Sequence, residues 1–126
     1  MVDYSPYIEG LKRREAERKA SLEKRRQKAL VVAQQIAEML RRDFDAKEIY
    51  LFGSALRPGE FHAHSDIDLA AEGIAPERYF SAVGRALMMS DEFSVDLLDF
   101  SECLPELKTV ICRRGKNYQH EVPCYS

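Results

Sequence analysis

Two carboxylates set two residues apart at the start of an apolar run constrain this chain more than any other feature. The stretch Asp66-Ile67-Asp68-Leu69-Ala70-Ala71 ends near Gly73 and reads as a strand bounded by a turn signal, although Asp is depleted in strands. Side chains alternate faces along a strand, so Asp66 and Asp68 project side by side, about 7 Å apart at the backbone, while Ile67 and Leu69 point the other way. The apolar face calls for a layer of helices. The acidic face calls for something that holds two negative charges.

The rest of the chain supplies such a layer. Glu48-Ile49-Tyr50-Leu51-Phe52, stopping at Gly53, and Phe93-Ser94-Val95-Asp96-Leu97-Leu98, stopping near Ser101, read as two further strands. From about Tyr7 to Phe44 the sequence is rich in Ala, Leu, Glu, Lys and Arg, which predicts a long N-terminal helix. Its second half repeats Val32, Ile36, Met39 and Leu40 at helical spacing beside Ala29, Ala33 and Ala37, the pattern of a helix packed on a core. Pro76 and Glu77 open a helix with Tyr79, Val83, Ala86 and Leu87 on one face, and a last helix runs from about Pro105 to Arg114. In that last helix Leu107, Val110 and Ile111 are expected inward, with Gly115 as its stop. The order helix, strand, helical turn, strand, helix, strand, helix predicts an α/β (α+β) fold, a small sheet of three to four strands flanked by helices.

Charge divides the chain. Residues 1–45 carry 11 Lys+Arg against 8 Asp+Glu, and the remainder carries 8 against 13. The expected organisation is a charged helical arm over 1–28, a folded domain over 29–118 and a tail over 119–126. No run of about 18 apolar residues suits a membrane span, and Met1 to Gly10 lacks a secretory apolar core, so a cytoplasmic location is expected. Cys103, Cys112 and Cys124 show no CxxC spacing, and they read as reduced thiols rather than as a disulfide framework or zinc site.

The chemistry gathers on the acidic strand. If the third strand neighbours the second, alternation puts Asp96 with Ser94 and Leu98, where it can join Asp66 and Asp68. Three such carboxylates repel one another unless a cation compensates, and hard oxygen ligands suit Mg²⁺, which accepts substrate phosphates as its other ligands. Gly53-Ser54 is the complementary half: a Gly at a strand end and a Ser at a helix start turn backbone N–H groups and a hydroxyl toward phosphate. Arg57 adds a charge-assisted contact to the same phosphates.

This set, Gly53-Ser54, then Arg57, then Ser65-Asp66-Ile67-Asp68-Leu69, then Val95-Asp96-Leu97-Leu98, resembles the minimal nucleotidyltransferases of the DNA polymerase beta superfamily. That group includes the antitoxin halves of HEPN/MNT toxin–antitoxin modules. The matching features span roughly residues 29 to 118, and Leu107 to Tyr118 resembles the family's last helix and its exit. Two positions depart from the pattern: Ala55 to Ser65 is one residue longer than the usual spacing, and Ala55 stands where many members have a basic residue.

The resemblance implies a palm-like nucleotidyltransferase fold and attack of an acceptor hydroxyl on the α-phosphorus of ATP, with pyrophosphate leaving. It implies two Mg²⁺ ions held by Asp66 and Asp68, with Asp96 on the ion that activates the acceptor. Gly53, Ser54, Arg57 and Ser65 would bind the nucleotide. Larger relatives have a second domain forming the other cleft wall, so a partner protein or a second copy is expected to complete this one. A HEPN toxin, modified by AMP transfer, is the partner that the resemblance implies.

Other readings stay open beside it. One is a nucleotidyltransferase-fold module that inhibits its partner by occlusion; another is transfer to RNA or a small molecule. His62 and His64, in the loop before the acidic pair, read as loop residues rather than metal ligands, and His120 carries no role. The basic stretch Lys12 to Lys28 has no interleaved aromatics for base stacking and allows i,i+4 pairs such as Glu15 with Lys19. It therefore reads as a partner-facing or solvated helix before a nucleic-acid site.

Overall fold

A computed structural model describes residues 2–118; the expected tail over 119–126, with His120 and Cys124, lies outside the described residues. The Ala/Leu/Glu/Lys/Arg-rich segment forms one uninterrupted helix, α1 (Ser5–Phe44), with a proline in its first turn, where a fixed φ fits and no N–H is missed. At its other end Asp45 takes the left-handed conformation, φ 57°, and Ala46 N–H reaches back to the Leu40 carbonyl at 3.2 Å. That arrangement stops the helix and satisfies its orphan carbonyls.

The two halves of α1 have different surroundings. Ser5 to Ser21 is exposed apart from Gly10, whereas Ala29, Ala33, Ile36, Ala37, Met39, Leu40 and Phe44 are buried. Contact with the rest of the chain begins at Leu22 to Arg26, with Arg25 and Arg26 both bonded to distant carbonyls.

Four strands follow: β1 (Glu48–Phe52), β2 (Ile67–Glu72), β3 (Val95–Asp99) and the short β4 (Lys116–Asn117). Their order is β3-β2-β1-β4, with β2 and β3 parallel and the other pairs antiparallel. The parallel pair requires a crossover, supplied by α2 (Tyr79–Met88). Ile49, Leu51, Ile67, Leu69, Ala71, Val95 and Leu97 turn one sheet face toward Ala33, Ile36 and Leu40 of α1 and Ala82 and Ala86 of α2, in one core. Each large side chain so buried contributes about 1.5–3 kcal/mol. The opposite face, with Tyr50, Phe52, Asp68, Ala70 and Asp96, is covered in part: α3 (Pro105–Arg114) buries Ile111, Tyr50 stacks on Phe100 at 5.0 Å and Ala70 is fully buried, while Asp96 on the outer strand is exposed.

Some details differ from the sequence expectation. On α2 the buried stripe is Ala82 and Ala86 flanked by half-buried Tyr79 and Val83, while Leu87 is exposed. Counting from Tyr79, the 3.6-residue period returns at 82, 83 and 86, and Leu87 falls a step past the stripe. On α3 Ile111 is fully buried, Leu107 half-buried and Val110 exposed. Gly115 does end α3, its N–H donating to the Ile111 carbonyl at 2.8 Å, but with φ −76° it is not left-handed. Glycine is required there by crowding, since a Cβ would lie 2.4 Å from the Ile111 carbonyl oxygen and 3.1 Å from that of Leu51. Among the described residues no helix is long and apolar enough to cross a membrane.

Candidate active site

The open sheet face ends where β1 runs into Gly53. This residue has φ 84°, and one 3-10 turn, Ser54–Leu56, follows it. Leu56 N–H donates to the Gly53 carbonyl at 3.2 Å and Arg57 N–H to the Ser54 carbonyl at 3.0 Å. Ala55 is fully buried beneath the turn, while Gly53 and Ser54 remain half-exposed.

Strand register brings the carboxylates to this turn. Phe52 pairs with Asp68 across β1 and β2, and Asp68 pairs with Asp96 across β2 and β3. Directly paired residues point to the same face, so Asp68 sits between the end of β1 and Asp96. A Cβ at Gly53 would stand 2.4 Å from Asp68 Oδ2. Glycine is thus required twice here, by its positive φ and by the approach of a carboxylate.

Asp68 is half-buried, and its carboxyl is pushed up to about 6, first by burial, then by the negative charge of Asp96 and that of Asp66. Asp66 lies one residue before β2 and is exposed, as is Asp96. The three are close enough to couple electrostatically. Among the described residues, however, no three His, Cys, Asp or Glu side chains converge on one point as a ligand set. By charge and ligand type the group fits a hard divalent cation, which would offset both the burial and the repulsion at Asp68.

Ser65 and Arg57 have local partners. The Ser65 hydroxyl is buried and accepts from the His62 N–H at 2.9 Å, while Ser65 N–H donates to the His62 carbonyl at 3.1 Å. These bonds close the loop that joins the two halves of the site. Arg57 pairs with Glu60 at 2.9 Å. His62 and His64 are exposed, and the His64 N–H donates to His62 Nδ1 at 3.3 Å. Asp99, at the end of β3, accepts from the Ser101 N–H and hydroxyl at 3.0 and 2.7 Å and so caps the next turn.

A cleft of about 520 Å³ opens beside Gly53, walled by Phe52, Leu56, Leu107 and Val110 and rimmed by Arg57 and Arg114. The sequence reading assigned no ligand role to Phe52, Leu56 or Arg114. Arg114 arrives only because α3 packs on β1, and no sequence spacing signals that; Phe52 and Leu56 flank Gly53-Ser54 and were legible as neighbours of the turn.

A protein-family model described as polymerase beta, nucleotidyltransferase matches residues 34–118. The chain also resembles several solved structures. With a crystal structure of a toxin–antitoxin with AMP-PNP it shares 26% identity over 71% of this chain and 74% of that one, with a TM-score of 0.58. With the toxin–antitoxin MntA–HepT it shares 23% over 70% and 69%, at 0.52, and with a mutant of that pair 22% over 71% and 74%, at 0.57. No curated protein is detectably similar in sequence.

Proposed function

The chain belongs to the polymerase beta nucleotidyltransferase family, and from that premise we propose that its open sheet face transfers AMP from ATP to a hydroxyl of a partner protein in the cytoplasm. The observation that carries this reading is the register Phe52–Asp68–Asp96, which sets two carboxylates side by side next to the Gly53 turn. The partner is a HEPN toxin, neutralised by the modification; the 26% identity to a toxin–antitoxin structure with AMP-PNP supports a toxin as partner and a nucleotide as ligand.

In this mechanism Gly53 and Ser54 hold the β- and γ-phosphates through backbone N–H groups and the Ser54 hydroxyl. Arg57 and Arg114 line the adjoining cleft and balance phosphate charge from its rim. Asp66, Asp68 and Asp96 would hold two Mg²⁺ ions, which when bound neutralise the entering and leaving oxygens. The acceptor oxygen bonds to the α-phosphorus, the bond from that phosphorus to the bridging oxygen breaks, and pyrophosphate leaves. Asp96, exposed at the outer strand, receives the acceptor's proton. Ser65 is the remaining nucleotide-binding residue of this reading, and its bonds with His62 keep the connecting loop closed.

One observation favours a second reading, occlusion without catalysis: Arg57, on the rim of the cleft, is already ion-paired with Glu60. Incubation with ATP labelled at the α-phosphate, Mg²⁺ and the toxin partner separates the two. Label on the partner that disappears with the doubly substituted Asp66→Ala, Asp68→Ala protein supports transfer. A partner that is inhibited yet unlabelled would leave only occlusion.

A further inference from the structure

Most of α1 lies outside the family-matched residues 34–118, yet two consecutive arginines on it reach the main chain on both sides of the site. Arg26 is nine-tenths buried, and its Nη1 donates to the Ala55 carbonyl at 2.9 Å. Its Nε and Nη2 are gripped by the two carboxylate oxygens of Glu23, both at 2.8 Å. Arg25 lies over the Phe93 ring at 4.5 Å and donates to the Glu92 carbonyl at 3.0 Å, just ahead of the strand that carries Asp96.

We propose that Arg26 is a positioning residue for the phosphate-binding turn, holding Gly53-Ser54 in place from behind through the Ala55 carbonyl, while Arg25 braces the entry to β3. The role rests on the nucleotidyltransferase reading of that turn. A single 3-10 turn with two internal hydrogen bonds is a weak element alone. Its third anchor comes from a helix that is itself locked into the core at Ala29 and Ala33. The target is a main-chain carbonyl, so the anchor fixes the turn's path and not merely a side chain. The Glu23 fork sets the guanidinium plane, and a bidentate pair holds direction as well as charge. Ala55 is where the family resemblance expects a basic residue; here the small side chain is buried and its carbonyl receives the basic group of α1. Arg26 is therefore committed to the turn and acts on the ligand only through it. Arg25 is the lesser brace, because its Nε is buried without a hydrogen-bond partner.

Amide hydrogen exchange on the full chain tests this directly. The reporters are the Leu56 and Arg57 amides, which close the turn. Arg26→Ala is expected to speed their exchange about tenfold, as for the loss of one buried hydrogen bond, with Ala82 to Ala86 of α2 unchanged. The affinity for Mg–ATP falls by a similar factor, and Arg26→Lys, which keeps a charged donor, recovers part of both. Unchanged exchange at 56 and 57 overturns the proposal, as does acceleration spread evenly through α2, which would signal global destabilisation. If Arg26→Ala does not fold, Glu23→Gln loosens the fork while keeping the guanidinium, and a smaller change in the same direction is expected. Wild-type protein that fails to bind Mg–ATP would sink the nucleotidyltransferase reading, and the exchange of Leu56 and Arg57 would still decide the anchor.

Discussion

Leu69 and Asp68 are neighbours in one strand and live in opposite environments. Leu69 is fully buried among α1, α2 and the neighbouring strands, whereas Asp68 is half-buried on the face that α3 and Phe100 cover in part. One face of the sheet is organised for stability, with apolar side chains in close contact. The other carries coupled charge that works against stability, since burial and two like-charged neighbours raise the Asp68 carboxyl to about 6. On the proposed reading, a divalent cation held by this face would offset that repulsion. The core face is what makes that repulsion tolerable.

If the faces divide labour in this way, a change on the open face should remove activity while sparing the fold. Asp96→Asn is expected to lower transfer of α-labelled AMP by about 10²–10³-fold, on the scale of losing an electrostatic contact made in the transition state. Its thermal midpoint should stay at or above the wild-type value, because one of the two charges that repel Asp68 is gone. Activity within a few-fold of wild type would break the assignment of this face. The reverse is expected of Leu69→Ala: a loss of about 2–5 kcal/mol in denaturant unfolding, from lost burial and the cavity left behind. In that variant, measured where it is still folded, Mg–ATP affinity should change little.

The same contrast explains what could be read from the sequence. Periodicity is local, so the strand faces and the apolar stripe of α1 followed from residue order, whereas Asp96 could join Asp68 only if β3 lay beside β2, which the register supplies. Residues whose roles depend on packing between distant elements did not follow from that order. Arg26 reads as one cation in a charged run, and only the approach of the 53–57 turn to α1 makes it a buried donor to Ala55. Arg114 needs α3 to lie against β1 before it reaches the cleft at Gly53. Leu87 reads as part of the Tyr79, Val83 and Ala86 face by its helical spacing, and it is exposed because the buried stripe runs on the Ala82 side of that face. Gly115 was legible as a helix stop but not for its reason, which is contact with the Leu51 and Ile111 carbonyls.

Gly53 sits at the seam between the two faces and sharpens the comparison at a smaller magnitude. Gly53→Ala puts a side chain at φ 84° and into the space of Asp68 Oδ2. The conformational strain is of order 1–3 kcal/mol. The displaced carboxylate should also weaken Mg–ATP binding, so this variant, unlike Leu69→Ala or Asp96→Asn, loses stability and ligand together. An unchanged affinity alongside lowered stability would show that the turn and the carboxylate are not parts of one site.

The smallest expected effect concerns pH and follows from Asp68 itself. Its carboxyl titrates near 6 in the folded chain against 3.8 for the free group, so the folded state holds this proton more tightly than the unfolded one. The stabilisation it lends is complete below pH 3.8 and is lost as pH rises through about 6. With the group half exposed, solvent screening reduces the effect to about 1 kcal/mol. The measurement is a difference: metal-free wild type should lose stability relative to Asp68→Asn between about pH 4 and 6, the variant lacking that slope. Saturating Mg²⁺ should bring the wild-type profile toward that of the variant by offsetting the charge. Superimposable profiles without metal would mean that Asp68 is no more strained than a surface carboxylate, and the contrast with Leu69 would then reduce to packing alone.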